Sequence, residues 1–168
     1  MKLKYLAIFL LILTIPGCED EQPEYEARFL LPGQWQLTDW YDDEEVDINN
    51  DGQASVNLYS QWDGCSKNVR INFRADNDFY TSNYGNPDNP SCTTLNVNEG
   101  SINRWQLLNE NTVLLTGDNF TREYEIVTLE DELLIIRGAD LLVNTTDTPS
   151  NYNGGYLRFA RYSDEGNK

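Results

Sequence analysis

The 168-residue sequence contains no histidine. That excludes Ser-His-Asp and Cys-His catalysis and any histidine-ligated zinc site. Basic residues are scarce: 12 Lys and Arg stand against 28 Asp and Glu, a formal charge of −16. Such a field repels DNA, RNA and anionic lipid headgroups, so no nucleic-acid partner is expected. Cysteine is scarce too, with three residues. Long apolar stretches are lacking: the unbroken run Leu6 to Leu13 is too short for a comfortable membrane span.

That run follows the basic start Met1-Lys2-Leu3-Lys4 and precedes Thr14-Ile15-Pro16-Gly17-Cys18. Residues 1–17 therefore read as a cleaved export signal. Ile15-Pro16-Gly17-Cys18 resembles a bacterial lipobox, with an aliphatic residue at −3 and a small one at −1; Pro16 departs from the usual pattern. The resemblance implies that Cys18 becomes a lipidated N-terminus, which makes a membrane the first expected partner. Each buried methylene contributes about 0.8 kcal/mol, so a multiply acylated cysteine stays in the bilayer. Loss of Lys2 and Lys4 with the signal takes the formal charge from −16 to −18.

Cys18-Glu19-Asp20-Glu21 is similar to the surface-transfer signal of Bacteroidetes-type lipoproteins; a merely solvated tether is the other reading. Residues 18–31 are expected to form an acidic flexible tether. The expected location is the outer membrane, lipid-anchored, at the cell surface. The two remaining cysteines, Cys65 and Cys92, would sit in an oxidising setting. A disulfide would close a loop of about 28 residues and stabilise by about 3–4 kcal/mol in the chain-entropy model. Two free thiols are the alternative.

Residues 32–162 carry the strand signals, and 163–168 form a tail. Gly33-Gln34-Trp35-Gln36-Leu37 opens the domain: glycine permits a tight approach, then Trp35 and Leu37 alternate with polar residues. Val69, Ile71 and Phe73 alternate in the cleanest strand of the chain. Phe79 to Tyr84, Ile102 to Leu108, Thr112 to Thr116, Thr121 to Thr128, Leu133 to Arg137 and Tyr156 to Tyr162 complete a meander joined by short turns. Ala54 to Trp62 is expected to be a short helix across one barrel end, with Val56, Tyr59 and Trp62 at helical spacing. Asp140 to Val143 extends or pairs with the sheet.

This pattern predicts an all-β, up-and-down antiparallel barrel of about eight strands, because closure removes the open edges. Gly-x-Trp on the first strand of such a meander resembles the lipocalin-like proteins, and more closely their small bacterial lipoprotein relatives. In that family an Arg of the last strand packs across the Gly-x-Trp tryptophan. The resemblance implies a barrel floor of Gly33, Trp35 and Arg161, since Arg161 shares a face with Leu157 and Phe159. It also implies a small or apolar ligand, with Leu37, Phe73, Trp105, Tyr124 and Phe159 as pocket lining.

Two further readings concern the acidic segment after the first strand. Asp42 to Gly52 is expected to be a loop, and Asp47-Ile48-Asn49-Asn50-Asp51-Gly52 matches the opening of a calcium loop. Leu58 stands where an EF-hand needs Glu, so that motif fails. A partial calcium site would use the side chains of Asp47, Asn49 and Asp51 and the Gln53 carbonyl. The other reading is an acidic turn in which Asp and Asn satisfy local backbone groups.

No spacing assigns two carboxylates to acid and base roles, so no enzyme is expected. The competing functions are a non-catalytic binding module and a structural or interaction module with a filled barrel. The sequence does not fix the oligomeric state.

Overall fold

Gly33 opens the first barrel strand at a position closed to other residues. Its φ is +144°, and a Cβ there would collide with the Arg161 guanidinium. In the computed structural model, which describes residues 26–62, 65–83, 96–97, 103–142, 152 and 154–163, this glycine follows a single helical turn, α1 (Ala27–Leu30). Strand β1 (Gly33–Val46) then pairs with β2 (Ser55–Asn57), and a second short helix α2 (Leu58–Gln61) follows. A 3-10 turn (Cys65–Asn68) leads into β3 (Val69–Phe73), β4 (Asp78–Asn83), β5 (Asn96–Val97) and β6 (Asn103–Asn109). The meander continues through β7 (Thr112–Gly117), β8 (Phe120–Leu129) and β9 (Leu133–Arg137). A second 3-10 turn (Ala139–Leu142) precedes β10 (Tyr156–Tyr162).

The ladder runs β10-β9-β8-β7-β6-β4-β3-β1, and β1 also pairs with β10, so eight antiparallel strands close on themselves. Strands β2 and β5 lie outside the ring, on β1 and β4. The expected all-β barrel is the observed fold.

Alternation places one side chain of every two inside. Val69, Ile71 and Phe73 from β3, Val113 and Leu115 from β7, Leu134 and Ile136 from β9, and Leu157 and Phe159 from β10 are all buried. Strand β1 changes phase midway. Trp35 and Leu37 point inward, Thr38 is an extra residue opposite β10, and Trp40 is again fully buried. Such a bulge bends the strand and sends its far half beyond the barrel rim. Three indoles each donate to a backbone carbonyl: Trp35 to Leu31 (2.9 Å), Trp40 to Gly154 (3.1 Å) and Trp105 to Arg74 (2.8 Å). Each buried ring thus keeps its polar atom satisfied while tying the wall to a neighbouring segment.

The turns between β3 and β4, β6 and β7, and β8 and β9 share one end with α1, here called the closed end. There Arg161 stacks over Trp35, its guanidinium carbon 4.2 Å from the ring centroid. Its Nη1 donates to the Pro32 carbonyl (3.1 Å), Nη2 to that of Leu30 (2.6 Å), and Nε to that of Asp131. One side chain therefore joins the last strand, the first strand, the β8–β9 turn and α1.

Four expectations need correction. Asp42 to Glu45 form the far half of β1, not a loop; their strand conformation is held by β2 and by tyrosines from the β10 side. The helix expected over Ala54 to Trp62 is a three-residue strand followed by one helical turn. Leu58 and Trp62 are its buried residues, whereas Val56 is exposed. Asp140 belongs to a 3-10 turn rather than to a strand extension. Finally, the folded unit starts before residue 32: Ala27 and Leu31 are buried, so α1 does not belong to the expected flexible segment 18–31. Cys18, the signal and the acidic segment Glu19 to Glu21 lie outside the described residues, as does Cys92, and with it the expected Cys65–Cys92 bridge.

Gly33→Ala should lose about 2–4 kcal/mol of stability, from positive-φ strain and displacement of Arg161. Denaturant unfolding of Gly33→Ala in the wild-type and Arg161→Ala backgrounds separates the two terms. The cost should shrink when Arg161 is absent; an equal cost in both backgrounds would remove the steric part of the account.

Candidate functional site

The end opposite α1 carries the β7–β8 turn, the last residues of β4 and β9, the far half of β1 and the 3-10 turn Ala139–Leu142. A cleft of about 130 Å³ borders this open end, lined by Phe79 and Thr81 of β4, Asn103 of β6, Leu115 of β7, Phe120, Arg122 and Tyr124 of β8, and Asp140 and Leu141. Its apolar walls are the ends of inward-facing rows. Its polar edge is an ion pair, Arg122 Nη1 to Asp140 Oδ2 at 2.8 Å, beside the Tyr124 hydroxyl. Burial pushes the Tyr124 phenol above its ordinary value, and Asp140 adds to this. A hydrogen bond with Tyr124, together with Asp140, holds the Arg122 guanidinium above its ordinary value.

Gly138 makes this corner possible. Its φ is +108°, its N–H donates to the Gly155 carbonyl at 2.9 Å, and a Cβ would press on Asp140 Oδ1 at 3.1 Å. Arg122, Asp140, Leu141 and Gly138 escape a sequence reading of this end. Arg122 shares the inward phase of Tyr124 and Ile126 and sits opposite Leu115, but a charged side chain there reads as solvent-facing, and Asp140 meets it only because the chain turns at Gly138. The Gly-Ala-Asp that follows an apolar strand is the one local signal for that turn.

Of the five residues expected to line a pocket, Tyr124 borders this cleft. All five belong to the continuous core, and Leu37, Phe73, Trp105 and Phe159 do not reach the cleft. The Phe73 ring lies 5.1 Å from that of Phe79 and 5.7 Å, edge to face, from that of Trp105. Aromatic volume that was expected to surround a ligand thus packs against itself.

A second cluster sits where β1 overruns the rim. Tyr152 stacks at 6.3 Å on Trp40, which packs edge to face on Trp62 at 5.7 Å. The Tyr152 hydroxyl donates to Asp42. On the outer face, Tyr156 donates to Asp43 (2.8 Å), Arg137 donates to the Tyr156 oxygen (2.8 Å), and Arg137 pairs with Glu125 (2.9 Å). This ladder crosses β8, β9, β10 and β1 and gives the acidic half of β1 its partners.

The loop Asp47 to Gln53 turns its oxygens onto its own amides. Asp47 accepts from the N–H groups of Asp51 (3.2 Å) and Gly52 (2.8 Å), Asn49 from that of Asp51 (3.2 Å), and Asp51 from that of Gln53 (2.8 Å). Positive φ at Asn50 (59°) and Gly52 (85°) tightens the turn. Among the described residues no three His, Cys, Asp or Glu side chains converge as metal ligands. Leu58, at the position an EF-hand would give to Glu, is fully buried in the core.

Two predictions arise here. Asp47→Ala should lower stability by about 1 kcal/mol in calcium-free buffer, since the loop's own hydrogen bonds hold it; no loss there would detach the loop's order from those bonds. Burial, reinforced by Asp42, pushes the Tyr152 phenol up to about 12. An unfolded phenol ionises near pH 10, so this contribution is complete below about pH 10 and is lost as pH rises towards 12. Denaturant midpoints should fall over that window, and less steeply in Tyr152→Phe; identical slopes would contradict the assignment.

No curated protein and no solved structure matches the chain. The model of the lipocalin-like domain matches residues 31–136, from the Trp35 floor through β9. With more than half of its length matched and its eight strands closed in up-and-down order, the chain belongs to the lipocalin-like domain family.

Proposed function

We propose that this protein is a non-catalytic binding lipoprotein whose ligand enters at the open end of the barrel. The observation that carries the reading is the contrast between the two parts of the interior. The lower barrel is filled by Trp35, Phe73, Phe159 and their neighbours. Space remains at the mouth, where Arg122, Asp140 and Tyr124 give a polar edge to an apolar cleft. Ligand sites are usually concave and apolar with a few fixed polar groups, and those for drug-sized molecules occupy about 300–1,000 Å³. A cleft of about 130 Å³ suits a small apolar molecule, or one end of a larger one. Family membership supports binding rather than catalysis, as does the absence of histidine from the sequence.

In this proposal Cys18 carries the lipid, and the domain works at the outer membrane, facing the cell exterior. The support is the sequence: the short apolar run, the lipobox-like Ile15-Pro16-Gly17-Cys18 and the acidic residues after it. The filled lower barrel also favours a second reading, an interaction module that presents its surface to another macromolecule.

A fluorescent apolar probe distinguishes them. Saturable binding that Leu141→Trp weakens at least about tenfold, equivalent to about 1.4 kcal/mol, supports the mouth site. Leu141 is a core residue at the edge of the cleft, so the comparison uses protein whose denaturant midpoint matches that of the wild type. No saturable binding by the wild type, or binding unaffected by Leu141→Trp, would hand the case to the interaction module.

A further inference from the structure

The described residues expose four large hydrophobic side chains: Phe29 (65%), Val56 (46%), Val127 (44%) and Leu108 (40%). Three of them, Phe29, Val127 and Leu108, lie at the closed end. Phe29 belongs to α1, the element that Arg161 fastens there. Val127 and Leu108 lie on the outward phase of β8 and β6, next to the inward-phase residues Ile126 and Leu107, at the bulged ends of these strands. A cleft beside Val127 runs between α1 (Glu26, Ala27, Leu30) and the ends of β6 and β8 (Glu110, Asn111, Thr128, Leu129).

Glu26 leads the chain into α1 at this same end. Glu26 lies eight positions after Cys18, a reach of about 26–29 Å even if fully extended. We infer that the closed end is the face this protein lays on a lipid surface, with Phe29, Val127 and Leu108 as its contacts and the mouth turned away from the membrane. The inference rests on the proposed lipid at Cys18. An anchor on so short a connection holds the domain at a millimolar-range effective concentration next to the bilayer, so a weak apolar contact suffices to set orientation. Phenylalanine and aliphatic side chains at the rim of a tethered domain enter the headgroup boundary without spanning it.

Charge selects the lipid. Glu26, Glu110, Glu130, Asp131 and Glu132 belong to α1's start and the turns of this end, where α1 offers Arg28. Anionic headgroups are therefore repelled within a Debye length, and the surface that fits is zwitterionic.

The test uses the full lipidated chain on phosphatidylcholine nanodiscs containing a paramagnetic headgroup lipid, read by amide NMR. Mass spectrometry first reports the acyl groups on Cys18. The amides of Arg28 to Leu31, Glu110, Asn111 and Val127 to Leu129 should lose most of their intensity, while those of Asp118, Asn119 and Gly138 keep theirs. Phe29→Ser combined with Val127→Ser, both at exposed positions, should even out the two groups, and an anionic nanodisc should weaken the contrast. Lipid on Cys18 with uniform broadening, or with broadening at Asp118 and Gly138, overturns the orientation and leaves the anchor standing. An unmodified Cys18 removes both. Protection of the closed end that depends on protein concentration rather than lipid would assign the face to a second copy and overturn the inference.

Discussion

The stacking of Arg161 on Trp35 is the contact on which the rest of this barrel depends. A guanidinium over an indole contributes about 0.5–2 kcal/mol by itself. Here it also donates to three carbonyls, of Leu30, Pro32 and Asp131, which would otherwise be left at the end of the chain's first turn and in the β8–β9 turn. Hydrogen bonds from a charged donor contribute about 1.5–3 kcal/mol each. The contact closes the sheet where β1 meets β10, plugs the floor with α1, and requires glycine at position 33 because the guanidinium occupies the space of a Cβ. Closure in turn leaves the barrel without an open edge along its ring.

With the floor fixed, the interior fills from below. Large rings enter at Trp35, Phe73, Trp105 and Phe159 and pack on one another, leaving free volume near the rim. The rim is where the regular pattern breaks: β1 overruns it, Gly138 turns the chain, and Arg122 meets Asp140 across the opening. The polar groups needed to orient a ligand therefore arise where alternation ends. The two ends of the barrel differ in kind among the described residues: one is locked by a charged side chain and rimmed by exposed apolar residues, the other carries a cleft edged by an ion pair.

Much of this was legible in the sequence, for a physical reason. A half-buried strand shows its face through the spacing of its own residues, so Val69 to Phe73, Thr112 to Thr116 and Tyr156 to Tyr162 announced themselves. What failed depended on distant partners. Asp42 and Asp43 read as a loop because they are acidic, yet they sit in a strand and meet tyrosines 110 and 113 positions away. Helix α1 has four residues and no side-chain cap, too little to stand alone; it is held by an arginine 131 positions downstream. The phase change at Thr38 is set by its register against β10, which no local pattern encodes. The residues of the open-end cleft were missed likewise, since Arg122 and Asp140 are 18 positions apart and joined by a turn.

The central claim, that Trp35 and Arg161 act as one unit closing the barrel, is tested most directly by a double-mutant cycle. Unfolding free energies would be measured for wild type, Trp35→Leu, Arg161→Met and the double variant. The account predicts a coupling of at least about 1 kcal/mol, the double variant being more stable than the sum of the single losses implies. Losses that add to within about 0.3 kcal/mol would contradict it.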